Sequence, residues 1–193
     1  MKRDDAMTVF YQWIPYLVAL FALMVWLGQL TSTKRTAGEM ITIVSFGVYM
    51  AVLGFLTLTP TAYNYGVPTL TPVWFGPVPM NFRAFQGMSL DFYLNILMTV
   101  PLGVYLALWK PLKAWKVVVA GILLGLTIEG TQFCLDWGVH LERWVDINDV
   151  ITNAAGLMVG YAAVALFSRT PFKILIHFFK VRPHALRTVK KTA

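Results

Sequence analysis

Apolar residues run through this chain in five long blocks, at about 11–30, 40–59, 91–109, 117–135 and 149–167, separated by polar, basic or proline-rich stretches. A helix needs roughly 20 mostly apolar residues to cross the hydrocarbon core of a bilayer, so each block has the length of one span. The first block follows Lys2 and Arg3, as the apolar part of a signal peptide would. Its run is too long for that role, and the Leu-Gly-Gln-Leu-Thr closing it at Thr31 offers no small-residue cleavage site. The pattern therefore predicts an all-α, polytopic membrane protein with five transmembrane helices. Residues 1–170 form one transmembrane bundle in this reading, and 171–193 a basic juxtamembrane cytoplasmic tail.

Composition agrees with the pattern. Apolar residues make up 58% of the 193 positions, charged residues 13%, and the mean hydropathy is +0.63. A soluble domain carries about 25% charged residues, so this chain lacks the polar surface to cover itself in water. Cys134 is the one cysteine, which excludes an intrachain disulfide, and it reads as a small buried hydrophobe. The net charge of +7 lies largely in the tail and short loops beside apolar spans, which suits a membrane surface better than nucleic acid.

Charge also sets an expected orientation. With five spans, one face receives Lys2, Arg3, Arg83 and Arg143. The other receives Lys34, Arg35, Lys110, Lys113, Lys116, Arg169, Lys173, Lys180, Arg182, Arg187, Lys190 and Lys191. Four against twelve places the second face in the cytoplasm by the positive-inside rule, with the N-terminus outside and the C-terminus inside. In the tail, Lys173, His177, Lys180 and His184 recur at helical spacing among Phe and Ile residues until Pro183 interrupts them. This is a basic amphipathic C-terminal segment suited to anionic lipid.

The 60–90 connection would be external. Five of the ten prolines fall between Pro60 and Pro79, together with Tyr63, Tyr65, Trp74 and Phe75. Proline bars regular helix and the aromatics suit the interface. The segment is either an ordered loop on the headgroups or a lid over an outward-facing site.

The acids carry the functional signal. Glu129, Asp136, Glu142, Asp146 and Asp149, five of nine, lie within 21 residues. Glu129 sits inside an apolar span, about 4–5 Å beyond the middle of the fourth helix. An ionised acid there costs roughly 2.5–3.5 kcal/mol on insertion scales, so something must offset it. Gly121, Gly125 and Glu129 form one helical stripe, with Gln132 a turn further on. Asp146, Asp149, Asn153, Gly156 and Gly160 form another, and Asp91 and Asn95 stand one turn apart at the start of the third helix. Small-residue faces let helices approach closely, and the five-span topology brings these stripes together under the outer surface. The expected pocket contains Asn95, Glu129, Gln132, Arg143, Asp146, Asp149 and Asn153. His140 is the one histidine able to join it, which is weak as a metal signature. Neither a nucleotide loop nor a zinc-protease helix nor a Ser/His/Asp set is visible, so no cofactor is expected.

The runs Asn95-Ile-Leu-Met-Thr-Val-Pro101-Leu-Gly103, Ile128-Glu129-Gly-Thr-Gln132 and Arg143-x-x-Asp146-x-x-Asp149-x-x-x-Asn153-x-x-Gly156-x-x-x-Gly160 resemble the VanZ-like family over about residues 40–167. The family often shows Asn-x-x-Pro-Phe in the outer loop, where this chain reads Asn81-Phe-Arg-Ala84-Phe85, with Ala84 in place of proline. The resemblance implies a five-helix bacterial plasma-membrane protein. It links the chain to teicoplanin resistance through the family's namesake, and assigns no catalytic residue.

Two readings follow from the residues. In the first, a cell-envelope protein engages membrane lipids, a lipid-linked cell-wall precursor or an acyl-bearing lipoglycopeptide, with Glu129, Gln132 and Arg143 orienting its polar head. In the second, an intramembrane hydrolase or transferase uses Glu129 as general acid or base, with Arg143 stabilising negative charge and Asp146 assisting. A transporter is a weaker third, since five spans show neither inverted repeats nor paired broken helices.

Overall fold

A computed structural model describes residues 2–60, 71–86, 90–141 and 143–182. Its order is α1 (Lys2–Thr31), α2 (Ala37–Leu58), β1 (Val73–Phe75), β2 (Val78–Asn81), α3 (Leu90–Trp109), α4 (Ala114–Val139), β3 (Val145–Asp146), α5 (Ile147–Phe167) and α6 (Lys173–Phe179). Five of these helices are long and apolar enough to cross a membrane: α2 to α5 in full, and Val9–Thr31 of α1. The expected spans are therefore present, with one notable change of length. Helix α4 runs for 26 residues, about 39 Å, and overshoots the roughly 30 Å hydrocarbon core.

The interior is small and polar while the exterior is large and apolar. On α5 the buried residues are Asn148, Thr152, Asn153, Ala154, Gly156, Leu157 and Gly160. Outward positions such as Phe21, Val48, Leu97, Leu123 and Val159 are exposed, as a hydrocarbon solvent requires. Cys134 is among the exposed residues, so its reading as a buried hydrophobe is corrected: it faces out of the bundle, where lipid rather than protein would cover it.

Helix α5 is the centre, gripped by α3 and α4 through close backbone approach. A Cβ on Gly121 would lie 3.0 Å from the Ala154 carbonyl oxygen, and one on Gly125 would lie 2.6 Å from that of Val150. Gly156 abuts Ile96 and Thr99 of α3, and Gly160 abuts Val100 and Val104. Both small-residue faces are thus used inside the chain. Helix α1 lies at the periphery, packing Trp13 and Tyr16 on Phe55, and Trp26 on Phe46. Helix α3 continues through Pro101, and Tyr49 donates from its hydroxyl to the Met98 carbonyl beside it at 2.9 Å.

The all-α expectation needs one correction. A three-stranded sheet, in the order β1-β2-β3, sits at the end of the bundle where α3 and α5 begin; we call this the hairpin end. Strands β1 and β2 are antiparallel across a two-residue turn, Gly76-Pro77, in which Gly76 takes φ +59°. Strand β2 pairs in parallel with β3, Met80 opposite Val145 and Asn81 opposite Asp146. These strands escape an apolar-periodicity reading because they are two to four residues long and β3 pairs with β2 across more than 60 residues of sequence.

At the opposite end, Thr36 and Glu39 form a reciprocal capping box on α2. The second oxygen of buried Glu39 accepts the Arg182 backbone N–H at 3.0 Å. Thr42 donates to the Phe179 carbonyl at 2.7 Å, and the Val181 N–H reaches the Leu108 carbonyl. The start of the tail is therefore tied to α2 and α3, with Ile174, Leu175 and Phe178 of the short α6 exposed. His184, Arg187, Lys190 and Lys191 lie outside the described residues, as do Tyr63 and Tyr65.

Candidate functional site

The site begins on α4. Glu129, Gln132 and Asp136, at i, i+3 and i+7, share one buried face. The helix runs ten residues past Glu129 and ends at His140, which turns the chain back in a left-handed conformation with φ +53°. The returning strand then places the Asp146 N–H 2.9 Å from Glu129 Oε2. A backbone donor thus meets a carboxylate about 15 Å back along α4 from its end, where Glu129 is buried in the bundle and an unpaired polar group would be costly.

Asp146 caps α5, accepting the Asn148 N–H at 2.7 Å. Its carboxylate also receives the Asn81 side-chain amide, at 3.0 and 3.1 Å to its two oxygens. Asn148 holds the next part of the outer loop: its Oδ1 accepts the Phe85 N–H and its Nδ2 donates to the Gln86 carbonyl. Residues 78–86 are consequently fastened over the start of α5. The element with Ala84 in place of proline is engaged all the same, with Phe85 at φ +61°. In the 60–90 connection the described residues 81, 85 and 86 are bonded to Asp146 and Asn148 beside the acids; Val78 and Asn81 are buried, while Trp74 and Phe75 of β1 are exposed.

Arg143 donates to the Thr59 carbonyl at 3.0 Å and lies within electrostatic reach of Glu129 and Asp149. Burial pulls its pKa below the ordinary guanidinium value, and those two acids oppose that shift. The side chain still carries its charge at neutral pH, because arginine starts so high. Gln132 approaches the Thr57 carbonyl at 3.5 Å.

The α3–α5 seam completes the set. Because Gly156 and Gly160 oppose Ile96–Thr99 and Val100–Val104, the two parallel helices place Asn153 level with Asn95, and Asp149 level with Asp91, one turn nearer the hairpin end. Asp149 lies within reach of the Asn95 side chain and feels the charges of Asp146, Asp91 and Arg143. The packing of Gly121 on Ala154 and Gly125 on Val150 continues to Glu129 beside Asp146. Asn153 therefore lies seven residues, about 10 Å, deeper than Glu129. Glu129, Gln132 and Asn153 are buried, whereas Asp91, Asn95, Arg143, Asp146 and Asp149 are half-buried.

His140 stands apart. It lines a separate cavity of about 390 Å³ with Tyr11, Ile14, Pro15, Gly138 and Val139, and its carbonyl accepts the Gln12 amide at 2.6 Å. Among the described residues, no group of three or more His, Cys, Asp and Glu side chains is arranged to hold a metal ion.

The family model described as VanZ/LLP1 matches residues 13–168, most of the chain, including the first span. The chain belongs to the VanZ/LLP1 family. No curated protein and no solved structure matches it. The family match and the five apolar helices together make it a multi-pass membrane protein.

In this VanZ/LLP1 chain, two polar residues of the site were not singled out from sequence: Asn148 and Thr59. Asn148 carried a signal, since an Asx residue two places after a capping Asp and flanked by an acid marks a polar helix start. Thr59 contributes through its backbone carbonyl, which leaves no trace in side-chain type. The β2–β3 pairing is directly testable. In a Cys134→Ser background, Met80→Cys with Val145→Cys should cross-link readily under mild oxidation, while Trp74→Cys with Val145→Cys should not.

Proposed function

We propose that this VanZ/LLP1 protein resides in the bacterial plasma membrane with the hairpin end outward, and that its polar cluster engages the head of a lipid-borne or acyl-bearing envelope molecule. One observation carries this reading. Asp91, Asn95, Arg143, Asp146 and Asp149 are half-buried around fully buried Glu129, at one end of a bundle whose outer surface is apolar. Such a set offers fixed polar partners to a head group, while the lipid-facing helix sides accommodate a chain. The excess of basic residues toward the opposite end supports the orientation. A membrane-borne lipoglycopeptide such as teicoplanin fits the same description, which connects the site to the resistance associated with the family's namesake. Catalysis with Glu129 as general acid or base is less well supported, because Glu129 is 4% exposed and already accepts the Asp146 N–H.

The test is glycopeptide susceptibility in a sensitive Gram-positive host, with wild type, Glu129→Gln and Asp149→Asn expressed to equal membrane levels. Wild type should raise the inhibitory concentration of teicoplanin several-fold and leave that of vancomycin unchanged, and Asp149→Asn should remove the difference. A binding role predicts partial protection from Glu129→Gln, whereas complete loss there would favour catalysis. Equal susceptibility of all strains, empty vector included, would remove the resistance reading.

A further inference from the structure

The last turns of α4 and the hairpin beside them share an aromatic face. From Glu129 to Trp137 the helix rises about 12 Å. Strand β2 climbs next to it: three steps of about 3.3 Å carry the chain about 10 Å from Asn81, opposite Asp146, to Val78. The hairpin tip therefore stands level with Trp137, and the side chains meet there. The Phe75 ring lies 5.9 Å from that of Phe133 and 6.0 Å from that of Trp137. A Cβ on Gly76 would lie 2.5 Å from the Trp137 ring, so the tip is seated directly on it.

This face is not built for water. Strand β1 is an edge of the sheet among the described residues, and its consecutive Val73, Trp74 and Phe75 are 58%, 63% and 59% exposed. An edge strand kept in water is blunted by charge, usually lysine, because its open hydrogen-bonding groups otherwise recruit a further strand. Residues 71–82 contain no charged residue. The hydrocarbon core, for its part, excludes an open strand edge. A surrounding that accepts both apolar rings and unpaired backbone groups is the boundary between lipid heads and tails.

Helix α4 sets the level of that boundary. Trp115 and Trp137 are exposed near its two ends, 22 residues apart. They are separated by about 33 Å along the axis and only about 40° around it. Val118, Val119, Ile122, Leu123 and Leu126 are exposed between them. One apolar stripe thus carries a tryptophan at each end, across a distance that matches a core of roughly 30 Å. At the far end Lys116 Nζ sits over the Trp115 ring, 5.4 Å from its centre, as suits the edge of a bilayer.

The geometry points to an interfacial anchor: β1 and the hairpin tip, with Phe133 and Trp137, form a docking surface for the head–tail boundary of the leaflet at the hairpin end. Its partner is the lipid surface, with which the stripe on α4 is continuous. The root of the same hairpin, Asn81, is bonded to Asp146, so the anchor is linked directly to the acids. The inference is independent of which way the bundle faces and of what the polar cluster binds.

Spin labelling of the full chain in vesicles of phosphatidylethanolamine and phosphatidylglycerol tests this. In a Cys134→Ser background, a nitroxide on Val73→Cys leaves the aromatic residues in place. It should collide with oxygen at least threefold more often than with a water-soluble nickel chelate, and Leu97→Cys supplies the lipid limit. A nickel-dominated value, as for a loop in water, would overturn the anchor. Protection from both reagents with spin–spin broadening would overturn it too, since a second copy would then be pairing on β1. Gly76→Val drives a side chain into Trp137 and should lift the tip, lowering the ratio at position 73 at least threefold. An unchanged ratio in folded Gly76→Val would overturn the seating on Trp137. If that variant does not fold, the Val73→Cys reading on the native hairpin decides alone.

Discussion

Replacing Gly160 with valine is expected to leave almost no folded protein in the membrane. A Cβ at this position would overlap the Val100 carbonyl oxygen, a backbone atom that moves only if α3 moves with it. Overpacking a core costs about 1–3 kcal/mol where side chains can yield, and here no flexible side chain stands in the way. Displacing α3 from α5 would also pull Asp91 and Asn95 away from Asp149 and Asn153, so packing and site should fail together. Fluorescence-detected gel filtration of a tagged chain reads the effect as loss of the monodisperse peak. Gly130→Ala is the matched control: nothing lies within 4 Å of its added methyl group, and its peak should match wild type. A wild-type profile for Gly160→Val would show that the two helices do not meet at this seam.

The second large effect is expected at Glu129, and it should divide sharply by chemistry. Glu129→Leu removes the acceptor for the Asp146 N–H and leaves that donor unsatisfied inside the bundle, at a cost of about 1–3 kcal/mol. Asp146 also holds Asn81 and caps α5, so the loss should loosen β2, residues 83–86 and the first turn of α5 together. Glu129→Gln keeps a carbonyl oxygen in the same place and should retain most of the fold. Hydrogen–deuterium exchange should show fast exchange at 78–86 and 145–149 in the leucine variant and near-native protection in the glutamine variant. Equal protection in both would mean that Glu129 does not hold the returning strand.

Much of this arrangement was legible in the chain. The spans follow from runs of apolar residues, and the seams from Gly121, Gly125, Gly156 and Gly160 at four-residue spacing, because both signals are local and periodic. The acids and amides of the site fall on the same stripes, so their convergence follows once the helices are paired. What the pattern hides is non-local. Helix α4 overshoots the bilayer and the chain returns beside it, which sets Asp146 against Glu129; an apolar-run reading ends the helix near residue 135 and shows no return. Strand β2 is fastened by β3 and by the Asp146 carboxylate, and residues 85–86 by Asn148, partners more than 60 residues away. Glu39 was readable as the far end of a Thr36-x-x-Glu39 capping box, but its bond to Arg182 was not, since that contact closes a loop of most of the chain. His140 lies near the acids in sequence and yet lines a cavity with α1, because it is the left-handed cap beyond the end of α4, eleven residues and about 16 Å along from Glu129.

The most direct test of the central claim places a photo-reactive side chain in the seam of living cells. A benzophenone amino acid at Asn95 reports on the site, and one at Leu97, two residues on and 67% exposed to the bundle exterior, reports on bulk lipid. If the polar cluster engages a lipid-borne head, irradiation should give a discrete envelope-lipid adduct at position 95 that is absent at 97 and lost in Asp149→Asn. Identical adducts at both positions, unaffected by Asp149→Asn, would contradict it.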